Sequence, residues 1–460
     1  ISLTSHIVKV VRNSIVRHLE EKNLFNENQH GFRKGRSCLS ELLAHYDEIL
    51  TSLENNNCVD TVYLDFAKAF DKVDFVILLE KLKKLGIGGK LGRWIYSFLN
   101  GRYQRVLVNG CPSKPAEVKS GVPQGSVLGP VLFLIMIYDI DHQITSSSVR
   151  SFADDTRITK TVNDIHGATE LQTDLIKIYD WADQNNMKFN CTKFELLRYR
   201  QKTNPIQDCT SYISNDGSVI KEAKSVIDLG VTMSNDGSFQ NHIDNTIQKM
   251  KNMSSWILRT FKTRDPITLM TLWKTLVIPI HDYCSQLWSP KLIKHKMKFE
   301  QVQYQYLKKI CGMQNKTYQQ ILSHFKMYSM ERRRDRYRII YTWKQLEKLA
   351  PICNIKEYHS ERRGRLLQLS HTNLKTINSS SFSKFAPMMW NKLPGEIRNL
   401  SKVNIMTFKR SLDSFLNTID DYPHLPNQGP RRCDNDLVSA IGCKMEDNRR
   451  MGRAPLSTKL

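Results

Sequence analysis

The stretch Ser151-Phe152-Ala153-Asp154-Asp155-Thr156-Arg157-Ile158 constrains this chain more than any other. Two adjacent carboxylates between apolar flanks at a strand-turn-strand are hard to explain by packing. Asp154 and Asp155 repel and raise each other's pKa unless a cation neutralises them. A divalent metal is the natural partner: oxygen-only ligands suit Mg²⁺, which takes one or two protein carboxylates and leaves its other positions to water and phosphate oxygens. An Asp-Asp turn that merely caps a hairpin is the competing reading of the pair taken alone. The rest of the chain has to decide.

A third carboxylate stands far upstream. Asp60-Thr61-Val62-Tyr63-Leu64-Asp65 alternates with period two, so Val62 and Leu64 share one face of a strand that Asp65 ends. After a compact bend at 66–73, Asp74 caps a helix that turns Phe75, Leu78, Leu79, Leu82 and Leu85 inward and closes at Gly86. A short helix follows at 91–101, then a strand at 103–109, the Asn109-Gly110 turn and a second extended segment at 117–119. Gly121-Val122-Pro123-Gln124-Gly125-Ser126-Val127-Leu128-Gly129-Pro130 is a Gly- and Pro-punctuated loop entering an apolar helix, where glycines 121 and 125 let backbone approach a ligand and Gln124 sets an amide beside it. Upstream of all this, a helix spans 1–22 by its apolar spacing. Gln29-His30-Gly31-Phe32-Arg33-Lys34-Gly35-Arg36-Ser37 then joins two glycines and three cations to the start of a helix at 38–54, a loop able to wrap a phosphate with Ser37 as cap.

Downstream of the doublet come an amphipathic helix closed by Asn185-Asn186, a strand at 196–199 and a strand pair at 226–231. Beyond residue 236 the pattern is helical, with helices marked by Ile243 to Ile257, by the Asp265-Pro266 start, and at 299–311. Charge matters here: 68 Lys and Arg oppose 45 Asp and Glu, a net +23 that points to a polyanionic partner, nucleic acid first. Residues 291–350 concentrate 15 Lys and Arg against 4 Asp and Glu, including Arg332-Arg333-Arg334, with tyrosines and Trp343 interleaved. Such helices suit a groove that follows a phosphodiester backbone, or simply form a solvated face. Ten scattered cysteines without a CxxC pair favour reduced thiols in an intracellular protein, and the longest apolar run, 131–138, is too short to span a bilayer.

Taken together, one carboxylate at a strand end and two at a hairpin can converge to hold two metal ions about 3.5–4 Å apart, as two-metal phosphoryl transfer requires. Asp65-Phe66-Ala67-Lys68-Ala69-Phe70-Asp71, Gly121 to Ser126 and Phe152-Ala153-Asp154-Asp155, in that order and spacing, resemble polymerase motifs A, B and C of reverse transcriptases. With Gln29 to Ser37 ahead, Leu229-Gly230-Val231 behind, and His281-Asp282-Tyr283-Cys284-Ser285-Gln286-Leu287-Trp288-Ser289-Pro290 and Trp390-Asn391-Lys392-Leu393-Pro394 further on, residues 1–420 resemble the non-LTR, LINE-type group close to jockey.

The resemblance implies an α+β right-hand polymerase: truncated fingers at 1–59, a palm with antiparallel sheet and inserted finger elements at 60–235, a helical thumb at 236–345, a C-terminal helical region at 346–422 and a flexible tail at 423–460. It implies RNA-templated DNA synthesis on a DNA primer from deoxynucleoside triphosphates, with two Mg²⁺ ions, for which Mn²⁺ can substitute, on Asp65, Asp154 and Asp155. Lys193 would approach the pyrophosphate as proton donor. Arg33 and Arg36 would meet the triphosphate, Phe66 and Phe70 would line the nucleotide with Phe70 as steric gate against a ribose 2′-hydroxyl, and Gln124 and Gly125 would position the base pair. Arg332, Arg333 and Arg334 would bind nucleic acid. No membrane partner is expected, an endonuclease domain is expected upstream of Ile1 and outside this chain, and the place of work is the nucleus or a cytoplasmic ribonucleoprotein. A remnant that binds nucleic acid without catalysis, and an RNA-templated RNA polymerase that Phe70 disfavours, are the alternatives.

Overall fold

A computed structural model describes residues 3–200, 211–351, 356–360, 364–369, 381–425 and 435–450. The chain divides into two compact units, Ile1–Glu41 with Thr51–Leu229 and Leu42–Leu50 with Gly230–Leu460.

In the first unit a five-stranded sheet carries the acidic residues. Its central strand, Val59–Leu64, is flanked antiparallel by Asp155–Thr161 on one side and Glu195–Tyr199 on the other, with Ser148–Phe152 and Lys221–Ala223 at the edges. The strand is buried on both faces, its Asp60 and Thr61 included. Helices cover the sheet: Phe75–Lys84, where the Asp74 carboxylate accepts from the amides of Val76 and Ile77, Gly129–Met136, seven of whose eight residues are buried, and Ile165–Gln184, closed at Asn185 as expected. Their inward faces meet the sheet in one apolar core containing Leu78, Leu82, Leu132, Phe133, Leu171 and Ile178. Residues 102–118 form a two-stranded ribbon, paired Arg102↔Val118 to Gln104↔Ala116 and Leu107↔Pro112 to Val108↔Cys111. Asn109 and Gly110, both at positive φ, turn it as an Asn-Gly pair should.

The second unit is mostly helical, with Gln240–Thr260, Ile293–Leu307, Met330–Leu346, Phe382–Lys392 and Ile405–Leu416 as its main helices. Trp343, Trp390, Phe408 and Leu412 centre its core. Three expectations are corrected. The helix expected at 299–311 runs from Ile293 to Leu307, because Leu292 rather than a polar cap precedes it. The region expected to be helical at 346–422 also holds the hairpin Glu357–Ser360 with Gly364–Leu367. The tail expected to be flexible contains the helix Leu437–Arg450, anchored where Leu437 and Ile441 enter the core; Pro426, Pro430, Cys433 and Pro455 lie outside the described residues. Cys38, Cys58, Cys111, Cys191, Cys284 and Cys311 carry no disulfide, but Cys443 is disulfide-bonded, which corrects the expectation of reduced thiols at that position. Among the described residues no helix is long and apolar enough to cross a membrane.

Candidate active site

Strand register brings the three acids together. Leu64 lies opposite Thr156 and Phe152 opposite Asp155, so Asp65 leaves the central strand beside the doublet at the tip of the neighbouring hairpin. The hairpin loop is only Ala153-Asp154, and Ala153 sits at φ +56, a left-handed conformation that a side chain disfavours by about 1 kcal/mol. Residues 28–31 hold that loop in place. The Gln29 side chain accepts from the amides of Ala153 (2.8 Å) and Gly31 (2.7 Å) and donates to the Ala153 carbonyl (3.1 Å). The Ser151 amide donates to Asn28 O and the His30 amide to Ser151 O, so the loop adds itself to the hairpin as an extra strand. A Cβ at position 31 would lie 2.3 Å from the Ala153 nitrogen, so only glycine fits.

Burial and mutual repulsion raise the acids. The Asp154 carboxyl is raised first by burial and then by Asp65, against its own backbone hydrogen bond; Asp155 is pushed up to about 6 by burial, Asp154, Asp228 and Asp65. Asp155 is exposed at its outer edge, so solvent tempers the repulsion. Asp65 has one cation beside it: Lys193 Nζ stands 3.1 Å from its Oδ2, an oxygen that is otherwise buried without a hydrogen bond. Lys193 arrives there because segment 187–193 is laced to the strand exit, Asn190 N to Asp65 O and Ala67 N to Lys188 O. A cavity of about 430 Å³ opens beside these groups, lined by Asp65, Asp155, Thr192, Lys193, Lys221 and Asp228.

Three neighbouring carboxylates, two of them with raised pKa values and the third with a buried oxygen that accepts no hydrogen bond, suit a hard divalent cation. In this conformation they are neighbours rather than a closed cage: among the described residues no three His, Cys, Asp or Glu side chains are gathered closely enough to chelate an ion. An ion would have to draw them in.

The loop at 121–126 packs against the bend after Asp65. Gly121, at φ +89, has Asp71 so close that a Cβ would sit 2.7 Å from its Cα and carbonyl oxygen; its amide donates to Val73 O, and Val122 N to Phe70 O. Gln124 donates to Asp71 Oδ1 at 2.9 Å, and Gly125 at φ +77 faces open space. Phe70 is half-buried, stacked on Phe133 at 4.3 Å and edge-on to the exposed Phe32. The Phe66 ring is a correction: it is 5% exposed and stacked on Phe189 at 4.4 Å, in the core, so it cannot line a nucleotide. Arg33 and Arg36 both pair with the exposed Glu27, and Arg33 also donates to Asn26 O and covers Phe25. A triphosphate would have to replace Glu27.

Beneath the doublet lies a buried network that the sequence did not announce. Arg157, two residues past Asp155, is buried and pairs with Asp228 and, at 2.7 Å, with Glu41; Glu41 in turn faces His30 Nε2 at 3.3 Å, and burial holds His30 neutral with a pKa lowered to about 3. Period-two alternation sets Arg157 on the face of Asp155, opposite Ile158, and nothing in the sequence named its partners 116 and 71 positions away.

The basic triplet is the second correction. Arg332 is fully buried and donates to the carbonyls of Asp420 and Ile419. Arg333 forks onto Asp282, at 2.9 and 2.7 Å, and Arg334 is buried between His281 Nε2 at 2.8 Å, Ser289 and the Phe299 ring. Burial keeps His281 neutral, with its pKa lowered to about 4, so Nδ1 donates to Asp282 while Nε2 accepts from Arg334. Guanidiniums held by acceptors inside the fold are not offered to phosphates.

Residues 1–233 match the family described as reverse transcriptase (RNA-dependent DNA polymerase). Among curated relatives, the chain is 28% identical over 322 residues to the RNA-directed DNA polymerase from mobile element jockey of Drosophila funebris, covering 68% of this chain and 35% of that protein. It is 27% identical over 295 residues to the protein of the same name from Drosophila melanogaster, covering 62% and 32%. The chain thus spans about a third of the length of these relatives. Among solved structures it is similar to apo telomerase from Candida tropicalis, with a TM-score of 0.41 and 10% identity over 75% of this chain and 53% of that one.

Proposed function

The chain belongs to the reverse transcriptase family of RNA-dependent DNA polymerases, and from that premise we propose that it extends a DNA primer on an RNA template, as the polymerase of a non-LTR retrotransposon. The observation that carries the proposal is the register that sets Asp65 beside Asp154 and Asp155. Members of the family use divalent metal ions; here Asp65, Asp154 and Asp155 would hold two Mg²⁺, which when bound acidify the primer 3′-hydroxyl and offset charge on the leaving pyrophosphate.

The chain's own groups do the rest. Lys193, beside Asp65 and in the cavity wall, moves a proton toward the pyrophosphate oxygen. Arg33 and Arg36 exchange Glu27 for triphosphate oxygens. The exposed edge of Phe70 closes the space where a ribose 2′-hydroxyl would sit, and Gln124 with the open backbone of Gly125 orients the base pair. In the same reading, 1–59 are fingers, 60–235 palm, 236–345 thumb and 346–422 a C-terminal region, and the work is done in the nucleus or a cytoplasmic ribonucleoprotein, in concert with an endonuclease domain.

Primer extension tests this directly, with RNA and DNA templates and with deoxy- and ribonucleotides. Mg²⁺-dependent incorporation of deoxynucleotides on RNA, lost in Asp154→Asn while template–primer binding persists, is the expected result. Binding without any extension by the wild-type chain would leave a nucleic-acid-binding remnant instead.

A further inference from the structure

The ribbon at 102–118 buries almost nothing. Every residue from 103 to 117 is exposed, including Tyr103, Val106, Leu107 and Val108 at 62–69%. A two-stranded hairpin is marginal in water unless something packs on it, and a run of three exposed aliphatic residues on such a ribbon invites a partner.

Two further observations say which partner. Arg105, Lys114 and Lys119 are exposed and make no ion pair among the described residues, and Glu117 is the single acid of the ribbon. That is the reverse of the Arg332 to Arg334 triplet, whose cations are held by acceptors inside the fold. Secondly, the base of the ribbon is fixed to the active-site bend. Arg102 donates to Gly121 O at 2.6 Å, Ser120 Oγ to Asp71 O at 2.8 Å, and Gln124 to Asp71 Oδ1. The ribbon therefore springs from the residue next to Phe70.

We propose that the ribbon lies against the template–primer duplex beside the point of nucleotide addition, an inference that rests on the polymerase reading above. Arg105, Lys114 and Lys119 meet backbone phosphates. Val106, Leu107 and Val108 rest on sugar edges in a groove, which an RNA–DNA hybrid of A-like form presents wide and shallow on its minor side. The contact is indifferent to sequence, because neither aliphatic side chains nor phosphate pairs read base identity.

The test measures binding of a labelled RNA–DNA hybrid with a recessed primer to the full chain, by fluorescence anisotropy without nucleotide, across a salt series. Two variants are compared, R105Q/K114Q/K119Q and L107S/V108S; both touch exposed side chains, and an unchanged Tm verifies the fold. The charge variant should bind about tenfold more weakly and lose about 2 to 3 units of salt slope. The apolar variant should weaken binding about threefold to tenfold with the slope intact. Both should keep wild-type kcat at saturating duplex, since neither enters the acid cluster. Wild-type binding by either variant overturns the proposal. If sedimentation then shows that the wild-type chain self-associates and L107S/V108S does not, the ribbon's occupant is a second copy of this chain. Because binding is read without nucleotide, a chain that needs the ribbon to bind but never extends a primer sinks the catalytic reading alone.

Discussion

Two clusters of like charge stand in this molecule, and as strings of letters they invite the same interpretation. Asp154 and Asp155, with Asp65 and Asp228 near them, repel one another, with Lys193 beside Asp65, Lys221 in the same cavity wall and Arg157 buried behind them. Arg332, Arg333 and Arg334 sit on a helix whose surroundings supply two backbone carbonyls, a bidentate carboxylate, a neutral histidine and a hydroxyl. The first cluster gathers negative charge that its neighbours offset only in part. The second draws its acceptors from inside the fold. Local charge density therefore says little about function until the source of the countercharge is known: an internal one makes a fastener, an external one a site.

The comparison breaks most visibly if the acids prove dispensable. Asp154→Asn should lower primer extension about a thousandfold, roughly 4 kcal/mol of transition-state stabilisation, with hybrid binding retained; near wild-type rates would make the acid cluster as structural as the arginines. Next in size, Arg334→Ala should destabilise the second unit by about 3 kcal/mol in urea unfolding, because it leaves the buried His281 and Ser289 without their donor and takes a positive charge away from the nearby acids Glu300, Glu331 and Asp335. Its salt slope for hybrid binding should stay as in the wild type. A flattened slope at unchanged stability would turn the triplet back into a contact surface.

A smaller effect sharpens the contrast from the other side. Gln29→Ala removes two hydrogen bonds to the doublet loop and one to Gly31, and should lower stability by about 1–3 kcal/mol and extension about tenfold, measured by denaturation and by kcat. The smallest effect is one of pH. A carboxyl whose folded pKa lies above its unfolded value of 3.8 binds its proton more tightly in the folded state, so its contribution is present below 3.8 and is lost as pH rises through about 6. Without metal, Asp155→Asn should therefore raise Tm by about 1 °C at pH 7.5, discounted for solvent screening, and leave it unchanged at pH 3.5. Mg²⁺ should stabilise the wild type at pH 7.5 and hardly at pH 5. A variant no more stable than wild type at pH 7.5 would mean that the acids do not strain the empty site.

Much of the first unit was legible because its signals are local. Period-two alternation gave the strand ending at Asp65, Asp74 gave a helix start, and Asn109-Gly110 gave a hairpin turn. The order of three short motifs then located the acids. Burial was not legible where apolar and polar readings use the same letters: Phe66 could line a nucleotide or fill the core, and Arg332 to Arg334 could face solvent or Asp282 and His281. Those outcomes depend on partners that folding brings from about 50 to 125 positions away, such as Phe189 for Phe66, which no periodicity encodes. The brace at Gln29 escaped for the same reason, since it acts through a loop 124 residues downstream.

That brace has an evolutionary consequence. Position 31 carries no chemistry, yet a Cβ there would come within 2.3 Å of the Ala153 nitrogen, so the site admits a hydrogen and nothing larger. A drifting copy of this sequence that gained even a methyl there would have to shift the backbone on which Asp154 hangs. Decay of such a copy can thus be spotted in its nucleotide sequence at a codon that touches neither metal nor substrate, while all three acids are still spelled correctly.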